Sequence, residues 1–181
     1  MRRNLGFAAV VVFALSLAGC LTSEAPLLND QNAKATPLTA GDYESCQVER
    51  DAAPDCRTVK VSLEGVLYTF ETAGEDPSLG RFRPIGRNTF LAQFWEESDS
   101  SYFYFYGVKT PDGAKLSMVS CGDVPQRTRD RLVKSKDLAV SSDAVTCTAK
   151  TLKGAERATR DYGRRLKDDS QWMILKRKIG A

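Results

Sequence analysis

From Arg57 onward, apolar and polar positions alternate at a period of two. Val59, Val61 and Leu63 fall between Lys60, Ser62 and Glu64, the pattern of a half-buried strand. After Gly65, a turn or a bulge, the run VLYTF continues in β-branched and aromatic residues. The segment ETAGEDPSLG, 71–80, carries turn chemistry and reads as a loop. NTFLAQFWEE predicts a strand with Phe90, Ala92 and Phe94 on one face and Leu91, Gln93 and Trp95 on the other. In SYFYFYGV, Tyr102, Tyr104, Tyr106 and Val108 oppose Phe103 and Phe105, and after the reverse turn TPDG the run KLSMVSC returns as the next strand.

Beyond Cys121 the period changes. VPQRTRDRLVKSK predicts a short peripheral helix, capped by Asp123, that grips through Leu132 and Val133. AVTCT reads as a strand, and from Thr151 the positions Leu152, Ala155, Thr159, Tyr162 and Leu166 recur every three or four residues on a helix of about four turns. QWMILKRK closes the chain as a strand followed by a basic cluster. The whole predicts an α+β domain: an antiparallel β meander of about five to six strands, with one or two helices packed on one face.

The N-terminus has a different character. Arg2 and Arg3 precede an apolar run from Leu5 to Gly19, the composition of an export signal. At about 1.5 Å per residue the run covers about 22 Å, short of a hydrocarbon core of about 30 Å. Two cleavable readings follow: an ordinary signal cut after Ala18, or a signal whose end is defined by Cys20.

Leu17-Ala18-Gly19-Cys20 resembles the lipobox of bacterial lipoproteins. The resemblance implies a diacylglyceryl group on the Cys20 thiol, cleavage between Gly19 and Cys20, and acylation of the new amine with palmitate-type chains. Two or more chains anchor stably where one does not. Leu21 in place of Asp after the cysteine implies the outer membrane, with the body on the periplasmic face. The expected organisation is a signal peptide over 1–19, a lipidated cysteine and flexible tether over 20–41, and one globular domain over 42–181.

Cys46, Cys56, Cys121 and Cys147 form an even set in a chain read as exported, which predicts structural disulfides and a disulfide-braced domain. Cys46 with Cys56 and Cys121 with Cys147 close the shortest loops. The chain has no histidine, which excludes Ser-His-Asp and Cys-His nucleophile activation and His-ligated zinc. Charge is uneven: Leu21 to Cys121 holds 9 basic and 15 acidic residues, and Gly122 to Ala181 holds 15 basic and 8 acidic. The two parts are read as complementary within one domain.

Three sets of side chains are candidates for chemistry. Tyr102, Tyr104 and Tyr106 offer flat faces for a ring-bearing ligand, although a strand face covered by the Thr151 helix is the favoured reading. Arg157, Arg160, Arg164 and Arg165 could contact an anion or a lipid headgroup, against the default of a solvated face with partners such as Glu156 to Arg160. Glu96, Glu97 and Asp99 read as a solvated hairpin end rather than a carboxylate pair. No catalytic residue, metal site or cofactor is assigned. The expected protein is a non-enzymatic envelope lipoprotein that binds an unknown envelope protein or glycan, and no nucleic acid. An inhibitor of an envelope-attacking hydrolase such as lysozyme is the second reading, and a cell-envelope enzyme the third.

Overall fold

A computed structural model describes residues 19–48, 53–98, 100–142, 146–167 and 171–178. The chain order is β1 (Leu21–Ser23), β2 (Gly41–Val48), β3 (Asp55–Glu64), β4 (Leu67–Thr72), β5 (Ser78–Pro84), β6 (Thr89–Glu96), β7 (Tyr102–Thr110), β8 (Gly113–Met118), α1 (Gln126–Lys134), β9 (Leu138–Val140), β10 (Cys147–Ala149), α2 (Leu152–Gly163) and β11 (Trp172–Arg177). β2 to β8 run up and down in sequence order, each antiparallel to the next. β11 returns after the helices and pairs with β8 on one side and β2 on the other, which closes the ring.

This closed, mostly β barrel of eight antiparallel strands overturns the expectation of an open α+β meander of about five to six strands. Two of the barrel strands escaped the sequence pattern. β2, GDYESCQV, has one fully buried inward residue, Tyr43, among polar neighbours. β5, SLGRFRP, extends from the end of the segment read as a loop and carries Gly, Arg and Pro. Its Gly80 faces inward because a Cβ there would stand 3.0 Å from the rings of both Phe70 and Phe94. The sequence cost of that close approach is a residue with poor strand preference.

An eight-stranded barrel has an interior just wide enough for side chains to fill, and here aromatics fill it. Phe82 meets Tyr68 at 4.8 Å, Phe90 at 5.3 Å and Phe94 at 5.7 Å, each edge to face, the arrangement ring quadrupoles favour. Phe94 in turn meets Phe105 at 5.2 Å. Gly107 on β7 has no Cβ because the Phe90 ring lies 2.0 Å from where one would be.

The segment read as a flexible tether is packed against the body. Leu21, Leu28, Ala33 and Leu38 are all buried, and β1 pairs with β7 and, in parallel, with β10. The segment crosses the outer wall of the barrel and turns under its lower end. There Ala35 N–H donates to the Phe82 carbonyl at 3.0 Å, and Leu38 plugs the lumen while its carbonyl accepts from the Tyr68 hydroxyl at 2.9 Å. Burial pushes the Tyr68 phenol up to about 12.

A second core lies outside the barrel wall, where β1, α1, α2, β9 and β10 cover β6 and β7. Thr151 caps α2 by accepting from Gly154 N–H. α1 begins at Pro125 with no side-chain cap, so the role expected of Asp123 is not taken up. Glu156, expected to pair with Arg160, reaches instead to Arg83 on β5.

Candidate functional site: a groove at the open end of the barrel

The upper end of the barrel differs from the plugged lower end because two strands part there. β8 and β11 pair from Gly113 to Leu116. Beyond that point β8 leaves β11: Val119 N–H donates to the Tyr104 carbonyl at 2.9 Å, and Cys20 bridges Ser120. The opening is a groove of about 820 Å³, within the range of small-molecule sites. Its floor is the upper lumen, Phe105, Leu116, Met118 and Met173. Trp172 and the end of α2, with Tyr162 and Leu166, form its walls, and Arg165, Lys167 and Asp123 stand at the rim.

Gly19 and Cys20 belong to this wall. The Cys20 thiol is buried and donates toward Met118 Sδ at 3.0 Å. Burial pushes its pKa up, so the sulfur rests as a thiol rather than as a reactive thiolate. The backbone on either side is held: Cys147 N–H donates to the Cys20 carbonyl at 3.3 Å, and Cys121 N–H donates to the Gly19 carbonyl. Cys121 and Cys147 are themselves joined, as are Cys46 and Cys56, the pairing that loop length favoured. The Cys121–Cys147 bond therefore fixes the two segments that grip Cys20.

The structure separates the three tyrosines. Tyr104 is fully buried beneath the N-terminal segment, with its hydroxyl 2.7 Å from Ser23 Oγ and donating to Gln93 Oε1 at 3.1 Å. Tyr106 lies against α2, where a Cβ on Gly163 would stand 2.2 Å from its ring. Tyr102 is half-buried beside Trp95 at 5.7 Å. They present no shared open face.

The arginines do not converge on one open site either. Arg157 and Arg164 both donate to the buried Asp161 carboxylate, at 2.8 and 3.1 Å, and Arg160 reaches the Ile85 carbonyl. Only Arg165 of this set lines the groove. Glu96 and Glu97 are exposed at the end of β6, and Asp99 lies outside the described residues. Glu44 stands near Cys46 and Cys56, but sulfurs joined to each other leave no thiolate for a metal.

Sequence reasoning missed the groove because its members come from β2, β7, β8, β11 and α2, and only barrel closure brings them together. The local signal was present in the thioethers: Met118 and Met173 sit on two strands read correctly as strands, and flexible sulfur-bearing side chains suit adaptable apolar surfaces. Among the described residues no helix is long and apolar enough to cross a membrane. Comparison with protein-family models, with curated proteins and with solved structures returns no match in any of the three.

Proposed function

We propose that this chain is a lipid-anchored protein of the bacterial envelope, and in particular an outer-membrane lipoprotein on the periplasmic face whose barrel acts as a non-enzymatic binding body. The observation that carries the reading is the position of Cys20. The one thiol left unpaired by the two disulfides is also the lipobox cysteine, and it lies on the wall of an apolar groove. Acyl groups carried by that residue meet apolar side chains at once, whereas on a polar surface they would be exposed to water.

The anchor then joins the body without a spacer, because the chain is tied down from Cys20 onward. The barrel is held at the bilayer with its open end nearest the lipid. The absence of histidine, which removes His-activated nucleophiles, supports a binding role over catalysis.

The test is growth with an alkyne analogue of palmitate, followed by membrane fractionation. The wild-type chain is expected to carry the label and to fractionate with the outer membrane, and Cys20→Ala is expected to carry none. An unlabelled wild-type chain would refute the reading.

A further inference from the structure

The groove and the hydrogen bonds around Cys20 together have a specific occupant in view. In the uncut chain the Gly19 carbonyl accepts from Cys121 N–H. That carbonyl belongs to the amide formed on the Cys20 nitrogen. Cleavage at Gly19 removes it and leaves Cys121 N–H without its acceptor, which is unfavourable when the donor is buried. Cys121 is fully buried.

An acyl chain on the freed Cys20 amine restores the same chemistry. The amine attacks an acyl ester, the ester's alcohol leaves, and the product is again an amide on the same nitrogen, with its carbonyl in the position Gly19 held. The carbon chain then starts where the Gly19 Cα stood, which is on the groove wall.

We infer that the amide-linked acyl chain of Cys20 lies in this groove, its carbonyl held by Cys121 N–H and its methylenes on Phe105, Leu116, Met118, Trp172 and Met173. The inference rests on the lipoprotein reading above and adds a site to it. Attachment makes the encounter intramolecular, so the groove sees its occupant at an effective concentration in the millimolar range. Each methylene sheltered from water adds to the stability of the docked chain. The bilayer shelters it equally well, so what favours the groove is the fixed Cys121 N–H, which holds the amide carbonyl and starts the chain on the groove wall. One chain in the groove leaves the thioether-linked pair for the membrane, and two chains are enough for a stable anchor.

The experiment feeds cells a diazirine-bearing fatty acid, irradiates intact membranes and maps crosslinks on the purified full chain by peptide mass spectrometry. Mild alkaline hydrolysis then removes ester-linked chains and leaves the amide-linked one. The expected result is label on the Cys20 peptide, with alkali-resistant crosslinks from it to Phe105, Leu116, Met118, Trp172 or Met173. Met118→Lys, which puts a charge on the floor, is expected to lower that yield about ten-fold, and the wild-type map stands without this variant if it fails to fold.

Label on Cys20 with crosslinks to phospholipid only, or with every crosslink released by alkali, overturns the groove assignment and leaves the lipoprotein reading intact. A Cys20 peptide with no label overturns that reading, and the groove assignment with it.

Discussion

The barrel interior and the layer outside its wall are built by different means. Inside, rings pack on rings: Tyr68, Phe70, Phe82, Phe90, Phe94 and Phe105 form one continuous aromatic cluster across β4 to β7. Outside, small apolar residues such as Ala155 and Ala158 share the space with buried polar groups at defined points. Gln93 Oε1 alone accepts from Leu27 N–H at 2.8 Å, Leu28 N–H at 2.9 Å and the Tyr104 hydroxyl. The Asp161 carboxylate accepts from Thr128 Oγ1 on α1 as well as from two arginines.

Packing of this kind fails when volume changes, and hydrogen-bonded docking fails when a partner is removed. The outer layer carries Cys20 and the N-terminal segment, so its polar contacts hold that segment against the barrel.

The largest effect should follow from crowding the interior. Gly107→Val places methyl groups where the Phe90 ring now lies, and the expected loss is about 3 kcal/mol, measured as a lower urea midpoint with one cooperative transition. An unchanged midpoint would mean that the Phe90 ring can move aside and that interior volume does not limit stability.

Next comes the outer layer itself. Gln93→Leu keeps the volume but leaves two backbone N–H groups at Leu27 and Leu28 without an acceptor, for an expected loss of about 2 kcal/mol. Limited proteolysis should show the stretch around Leu27 cut first while the barrel persists. Simultaneous loss of both regions would erase the distinction drawn between them.

The smallest effect is pH-dependent. Asp137 accepts from Ser135 Oγ at 2.6 Å and from Thr151 Oγ1 at 2.8 Å, and these bonds, with Lys153 nearby, hold its carboxyl below the usual carboxylate range. A group with a lowered folded pKa adds stability that is present above the unfolded value of about 4 and is lost as the pH falls through the folded value. Asp137→Asn should therefore lower the melting temperature slightly at neutral pH and flatten its decline in acid. An unchanged acid limb would remove Asp137 from the account.

Much of the barrel was legible where strands alternate strongly. β3, β6 and β7 contain the alternating runs Val59 to Leu63, Phe90 to Trp95 and Tyr102 to Val108, because each has a buried face to specify. Closure was not legible, because it depends on β11 pairing with β2, across most of the chain, and on two strands whose inward faces carry little apolar surface.

The N-terminal segment was misread for a related reason. It has no period, since Leu21, Leu28, Ala33 and Leu38 are held at separate points along an irregular path rather than on one face of an element. The covered face of α2 was readable from Ala155, Thr159 and Tyr162. The groove was not, because no pattern along one strand records where two neighbours separate.

Lipid on Cys20, at the point where the chain joins its barrel, is what we propose. Intact-mass and N-terminal peptide analysis of the membrane-purified chain tests it most directly. The expected product begins at Cys20 with a diacylglyceryl thioether and an acylated amine. A product that begins at Gly19, or one with an unmodified Cys20 thiol, would contradict it.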